Sequence, residues 1–418
     1  MKLTKHKLGE LLDVTRGASL SGEYFATQGD YMRLTCGNFD YQNNCFKTNT
    51  SKDNLYYTGS FNPEFLMTEG DIITPLTEQA VGLLGSTAWV PESGKYIQSQ
   101  DVAKITPNEK LLDKKFCYYL ISSKVVKQQL SAAAQQTKIR HTSPDKIKDC
   151  TVWIPSLEEQ TKIGQFLYDI DSKIALNRQI NDNLEAMARQ LYDYWFVQFD
   201  FPDENGKPYK SNGGKMVWND KLKREIPEGW SVSNIFDALS VQYGFPFSTE
   251  LFTVDETQKP VVRIRDILNN SVSAYSVEEV DCKYRLQKQD LLIGMDGNFH
   301  MNYWNDNLSY LNQRSVRLRA KKNSTVSIVQ AKYDIQPYIK AREANSKGST
   351  VGHLSDKDLK DLYVLVPSKG YYKVQFDMIL SMIISNRNEN VELTKQRDEL
   401  LPLLMNGQAT VNYHLSDD

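Results

Sequence analysis

Residues His141–Ser156, HTSPDKIKDCTVWIPS, return 212 positions later as His353–Ser368, HLSDKDLKDLYVLVPS, with seven of sixteen positions identical. A chain of 418 residues that repeats itself at half its length is constrained to a duplicated architecture, because each copy of a motif needs a copy of its supporting structure. Length agrees, since one hydrophobic core seldom serves more than about 250 residues. The similarity extends outward with drifting offsets. Gln100–Ile105 (QDVAKI) matches Gln313–Leu318 (QRSVRL), and Gly70–Ile73 (GDII) matches Gln289–Leu292 (QDLL). Lys7–Asp13 and Trp230–Asp237 share a pattern, and Arg33 pairs with Arg263. Offsets that change along the chain mean loops of different length on one scaffold.

A long helical pattern follows each copy of the motif. In the first, Ile163, Leu167, Ile170, Ile174, Leu184, Met187, Leu191 and Trp195 recur at steps of three and four, broken by Asn177 and Asn181. In the second, Phe376, Ile379, Ile383, Leu393, Leu400 and Leu404 do the same, broken by Asn386 and Asn390. At a constant offset of 209 the two stripes and both asparagine pairs coincide. Segments of this length suit a coiled coil, in which asparagines at the seam cost stability and fix register. Short alternating strands are expected at Tyr31–Thr35, Asp71–Thr74, Val102–Ile105, Val261–Ile264 and Ser315–Arg319, with a helix over Leu112–Leu130. Turn signals and three prolines in Phe199–Trp230 read as a linker that becomes loose.

Hydrophobic residues at 40% and charged residues at 24% describe an ordinary globular chain. No apolar run approaches a membrane span, and Met1–Glu10 has no apolar segment behind its basic residues, so neither membrane nor secretory signal is expected. Five scattered cysteines without a CxxC pair fit free thiols in a cytoplasmic protein and leave no metal site in view. A net charge of -2 argues mildly against nucleic acid, but basic residues cluster at Arg314–Lys322 and Lys138–Lys148. Arg317 and Arg319 alternate with Val316 and Leu318, as on an exposed sheet face.

The opening of the first helix, Pro155-Ser156-Leu157-Glu158-Glu159-Gln160 with Ile163, Leu167, Asp171 and Ile174, resembles the central conserved region of the specificity subunits of Type I restriction-modification systems. The stretch FDFPDENGKPYKSNGGKM is similar to the segment that follows it in that family. The second helix lacks the Glu-Gln pair and matches in part. The resemblance implies an α+β fold with two similar globular target-recognition domains, separated by two long antiparallel coiled-coil helices in an internal pseudo-twofold repeat. Residues 1–156 and 230–368 would be those domains, 157–198 and 369–408 the helices, 199–229 the linker and 409–418 a tail. It further implies a subunit without chemistry or cofactor of its own, which reads a bipartite duplex DNA target and docks two methyltransferase subunits and restriction and translocation subunits.

The residues agree that catalysis is not expected. No GxxxxGK[ST] loop exists to cradle a triphosphate, and Asn62-Pro63-Glu64-Phe65 is a poor echo of an amino-methyltransferase NPPY motif. Pro144-Asp145-Lys146 and Asp356-Lys357-Asp358 lack a paired upstream acid and read as helix starts, and His141 and His353 read as structural. Base edges are read by Arg, Lys, Asn, Gln and His, so loops after shared strands are the candidate contacts. In the first half these are Arg16, Arg33, Thr77, Gln79, Gln98, Lys138 and Arg140; in the second they are Gln242, Tyr243, Arg263, Arg265, Asn298, His300, Arg314 and Lys347. Candidate subunit contacts on helix faces away from the seam are Glu159, Gln160, Lys162, Arg189 and Tyr192. The competing reading is a coiled-coil adaptor whose globular halves bind protein.

Overall fold

The computed structural model describes residues 1–78, 82–133, 140–346 and 352–411. The chain divides into two compact units, Met1–Ile174 with Glu392–Asp418, and Ala175–Val391. The helices Leu157–Tyr192 and Tyr371–Met405 each contribute to both.

In the first unit the strands Ala88–Trp89, Ile72–Pro75, Val102–Pro107 and Leu12–Arg16 form an antiparallel sheet in that order. Its core side packs Leu11, Val14, Ile72, Ala103 and Ile105 against Phe116, Tyr119 and Leu120 of the helix Lys114–Ser122, and against Ile163 and Leu167 of the long helix. Asp113 caps the shorter helix through a 2.8 Å bond from the Phe116 amide. The expected helix over 112–130 is broken at Ser123, whose backbone is extended and whose carbonyl receives the Lys127 amide that starts the next helix, Lys124–Ala133. A second sheet, in the order Tyr96–Ile97, Tyr31–Arg33, Tyr56–Tyr57 and Phe25–Ala26, has its own core of Leu34, Phe39, Met67 and Val90.

The second unit repeats this plan. Leu239–Tyr243, Ser315–Ala320, Leu291–Gly294 and Met301–Tyr303 form the antiparallel sheet, and Tyr310–Leu311, Lys259–Val262, Tyr275–Ser276 and Phe252–Thr253 the smaller one. Each smaller sheet has one parallel pairing, Met32 with Tyr96 and Val261 with Tyr310. The repeated motif does the same work twice. Ser143 and Ser355 cap short helices, Ile147 and Leu359 enter the cores, and Val152 and Val364 sit in strands paired with Thr4–Lys7 and Ser231–Asn234. Even backbone strain repeats: Gly70 at φ 77° and Gln289 at φ 74° take the left-handed conformation at the same turn, although only glycine adopts it freely.

Register corrects one pairing made from sequence. Ile97 bridges Leu66 as Tyr310 bridges Arg285, so Ile97 and Tyr310 are equivalent. Their neighbours are Arg33 and Val261, which makes Val261 the counterpart of Arg33. Arg263 instead occupies the place of Thr35, each heading a capping box closed by Asn38 or Asp266. The linker is not loose. Phe199, Phe201, Ile226 and Trp230 join the core of the second unit, and Met216–Asn219 pairs with Arg224–Pro227 in a hairpin. Four large apolar side chains supply enough buried surface to override the turn signals around them.

Within the second unit the long helices run antiparallel. Asn177 donates to Asn390 Oδ1 at 2.9 Å and to Glu389 Oε2 at 2.7 Å, and Asn386 donates to Asn181 Oδ1 at 2.9 Å. Within the first unit Arg397, almost fully buried, meets Asp171 at 2.7 Å. The first long helix closes in a π-turn, Asp193–Val197, that turns Trp195 and Phe196 into the second unit's core.

Candidate nucleic-acid interface

One end of each large sheet gathers polar side chains. In the first unit it is formed by the last residue of Leu12–Arg16, the approach to Val102–Pro107 and the exit from Ile72–Pro75. Arg16 is exposed there, its Nε donating to the Gln100 carbonyl at 2.9 Å. Thr77 Oγ1 lies 3.3 Å from His141 Nδ1. Arg140 reaches Glu78 at 3.4 Å and Ser131 Oγ at 3.2 Å.

The second unit builds the same end from different residues. Arg314 Nη1 donates to Asp296 Oδ2 at 2.7 Å, and His353 Nδ1 lies 2.5 Å from Asp296 Oδ1. Burial works to raise the Asp296 carboxyl, but the hydrogen bonds from His353 and Arg314 outweigh it and hold the group below the usual carboxylate range. Asn298 and His300 lie in the tight turn just after Asp296, closed by the His300 amide on the Asn298 carbonyl at 2.8 Å. Tyr243 donates to Asp356 at 2.5 Å, and the Gln242 amide donates to the Tyr243 carbonyl at 2.8 Å.

Strand register equates these positions. Ala103 pairs with Arg16 and Thr74 as Val316 pairs with Tyr243 and Ile293. Arg16 therefore corresponds to Tyr243, Asp101 to Arg314 and Thr77 to Asp296, while the histidine is common to both. The scaffold is conserved between the units and the side chains it presents are not.

Several sequence candidates belong elsewhere. Gln98 is 2% exposed and donates its amide to the Thr15 and Val102 carbonyls, so it ties strands together inside the protein. Arg33 lies over the Phe25 ring at 3.9 Å and reaches the Asn54 carbonyl, half-buried. Arg263 is bound to the Ser273 carbonyl at 2.6 Å and to Asp266 at 3.5 Å, whereas Arg265 is exposed with no such partner among the described residues. Arg317 is 6% exposed, with Nη2 on Ser240 Oγ, and Arg319 holds the buried Asp290 at 2.6 Å. The alternation around them therefore does not mark an open face: Arg317 stands opposite Leu292, which packs with Val262, Ile267, Leu286 and Trp304 on that side of the sheet. Gln79, Lys138 and Lys347 lie outside the described residues. Asp101, Asp296 and Asp356 were not singled out as contacts, and the signal that locates them is the strand register. Asn62 caps a short turn through the Glu64 amide.

The helix candidates also divide. Gln160 is 1% exposed, accepting the Asp113 amide at 3.0 Å and donating to the Leu111 and Pro155 carbonyls; Tyr192 is buried, donating to Asp334 at 2.8 Å. Neither is available to a partner. Both face their own globular unit, which the seam pattern alone does not reveal. Glu159, Lys162 and Arg189 remain at least partly exposed, in the pairs Lys162–Glu158 at 2.8 Å and Arg189–Asp193 at 3.0 Å. Arg189 and Tyr192 line a groove of about 290 Å³ with Leu222, Arg224, Asp334, Pro337 and Leu365. The counterpart in the first unit, lined by Asp398, Leu401, Leu120, Ser123 and Trp153, is a larger and more apolar groove of about 650 Å³. Among the described residues no cluster of His, Cys, Asp or Glu is arranged to hold a metal ion, and no helix is long and apolar enough to cross a membrane.

Comparison with known proteins places this arrangement. Residues 2–186 and 227–400 both match the Type I restriction modification DNA specificity domain. The chain is 24% identical over 339 residues to the Type I restriction enzyme MjaIX specificity subunit of Methanocaldococcus jannaschii, covering 75% of this chain and 73% of the relative. It is 21% identical over 374 residues to the HindI specificity subunit of Haemophilus influenzae, covering 75% and 81%. The crystal structure of a Type I restriction-modification S subunit from M. genitalium shares the fold, with a TM-score of 0.56 at 17% identity over 97% of this chain and 96% of that one. Two matched segments, each coinciding with one copy of the repeated scaffold, establish that this chain belongs to the Type I restriction-modification DNA specificity family.

Proposed function

We propose that the chain reads duplex DNA at two different half-sites, one for each unit, and carries methyltransferase and restriction subunits to that target without doing chemistry itself. The observation that carries this reading is the exchange of side chains on a constant frame: Arg16, Thr77 and Asp101 in one unit stand where Tyr243, Asp296 and Arg314 stand in the other. A scaffold that only braced a core would have no reason to vary the donors and acceptors at one exposed sheet end while keeping both histidines. Variation of hydrogen-bonding groups at that end is what discrimination between base edges requires.

Two methyltransferase subunits are expected, one beside each unit, because each unit presents a long helix next to the same globular frame. Glu159, Lys162 and Arg189, the first two partly exposed and the third exposed, are the helix positions that support docking. Binding of the assembled complex to duplex DNA over a range of salt tests the reading: affinity falls steeply with salt if phosphates are neutralised. Salt-independent binding, or none, favours the protein-binding adaptor.

A further inference from the structure

We propose that Arg314, held by Asp296, is a guanine-reading side chain of the second unit, flanked by Asn298 and His300; the assignment rests on the DNA-reading role proposed above. Four observations converge on it. The Arg314 side chain is 69% exposed, and only Nη1 is committed, leaving Nε and Nη2 without a partner among the described residues. Its backbone sits at φ 60°, a left-handed conformation that is strained for a non-glycine residue and that Asp101, its counterpart, does not adopt. Strain retained in one unit and absent from the other marks a position selected for where it aims its side chain.

The third observation is the anchor. Asp296 is 16% exposed, and its two oxygens are already taken, one by Arg314 and the other by His353. A carboxylate engaged on both oxygens and largely shielded from solvent is a poorer acceptor for a cytosine amine than a free one. Its bond to Nη1 anchors one end of the guanidinium and leaves the Nε and Nη2 edge, the two-pronged side of the fork, uncommitted. The fourth is the local charge. Asp296 is balanced by Arg314 and Asp356 by Lys360, so the acids and bases of this end offset one another and give a phosphate little net attraction, whereas the O6 and N7 acceptors of guanine are neutral and match a two-pronged donor. A phosphate contact needs only charge and no aligned plane.

The test uses the full chain assembled with its methyltransferase subunits, on the mapped target and on duplexes in which each pair of one half is replaced in turn. Arg314→Lys keeps the charge and removes the fork. It is expected to lose about 10- to 100-fold of discrimination at one G·C pair of the second unit's half-site, with the salt slope and the other half unchanged. Asp296→Asn acts through positioning, so it should weaken discrimination at the same pair while binding to non-target duplex stays at the wild-type level, a split that lost stability would not produce. If Arg314→Ala and Arg314→Lys leave every discrimination ratio intact, the assignment is overturned. It is equally overturned if Arg314→Ala weakens all duplexes alike and lowers the salt slope by about 1, the signature of a phosphate contact. Absence of any duplex binding by the wild-type complex would instead sink the parent reading, and the assignment with it.

Discussion

Asn386 donates its side-chain amide to Oδ1 of Asn181 at 2.9 Å, and Asn181 in turn donates to the carbonyl of Ile383 at 3.3 Å. Asn181 is 8% exposed, so its acceptor has little access to water once Asn386 is removed. Asn386→Ala is therefore expected to lower stability by about 1–3 kcal/mol, the usual penalty for orphaning a buried polar group. Replacing Asn181 and Asn386 together by Leu should recover that stability and loosen the register of the helix pair. Denaturant unfolding of the three chains decides this; a double variant as weak as the single one would contradict it.

Asp334 gives the second unit a pH dependence. Burial raises its carboxyl to about 6, against the bonds from Tyr192, Gln330 and the Leu365 amide. The folded state therefore binds the proton more tightly than the unfolded one. Its stabilising contribution is complete below the ordinary carboxylate range and is lost as pH rises through about 6. Acidification from pH 7 to pH 5 should add about 1 kcal/mol through this group, and Asp334→Asn should lack that gain, so the gap between the two proteins should change by the same amount over this range. Parallel pH profiles for the two proteins would show that Asp334 is not the source.

Trp153 and Leu365 occupy the same strand position in the two units, at 48% and 1% exposure. Leu365→Ala should cost about 2–4 kcal/mol by leaving a cavity, and Trp153→Ala less than about 1 kcal/mol. Thermal unfolding of both variants checks the contrast. Equal losses would mean that the groove beside Trp153 is filled in solution.

Lys162→Glu with Arg189→Glu reverses charge on one partly exposed and one exposed helix position while leaving the asparagine seam untouched. Loss of methyltransferase from the purified complex, with the chain still folded by circular dichroism, is the expected outcome. Unchanged stoichiometry in native mass spectrometry would move the docking surface elsewhere.

The duplication, the two long helices and their asparagine register were legible in the sequence because they depend on periodic patterns that tolerate little drift. The ends of the large sheets were legible only in part. Arg314, Asn298 and His300 could be found as polar residues in loops, but their anchor Asp296 could not, since nothing local separates an acid that orients an arginine from one that faces water. Gln98 and Gln160 misled for the complementary reason: an amide suited to a base edge is equally suited to a buried backbone carbonyl, and only burial distinguishes them. In the linker, turn residues outnumber Phe199, Phe201 and Trp230 and dominate its sequence pattern, although these three determine where the segment packs.

The most direct test is a genome-wide map of methylated positions in cells that carry this chain with its methyltransferase, made before and after residues 230–368 are exchanged for the same stretch of another family member. Two units reading separate half-sites predict a two-part target in which the exchange replaces one half and preserves the other. A continuous target, or an exchange that alters both halves or neither, would contradict the account.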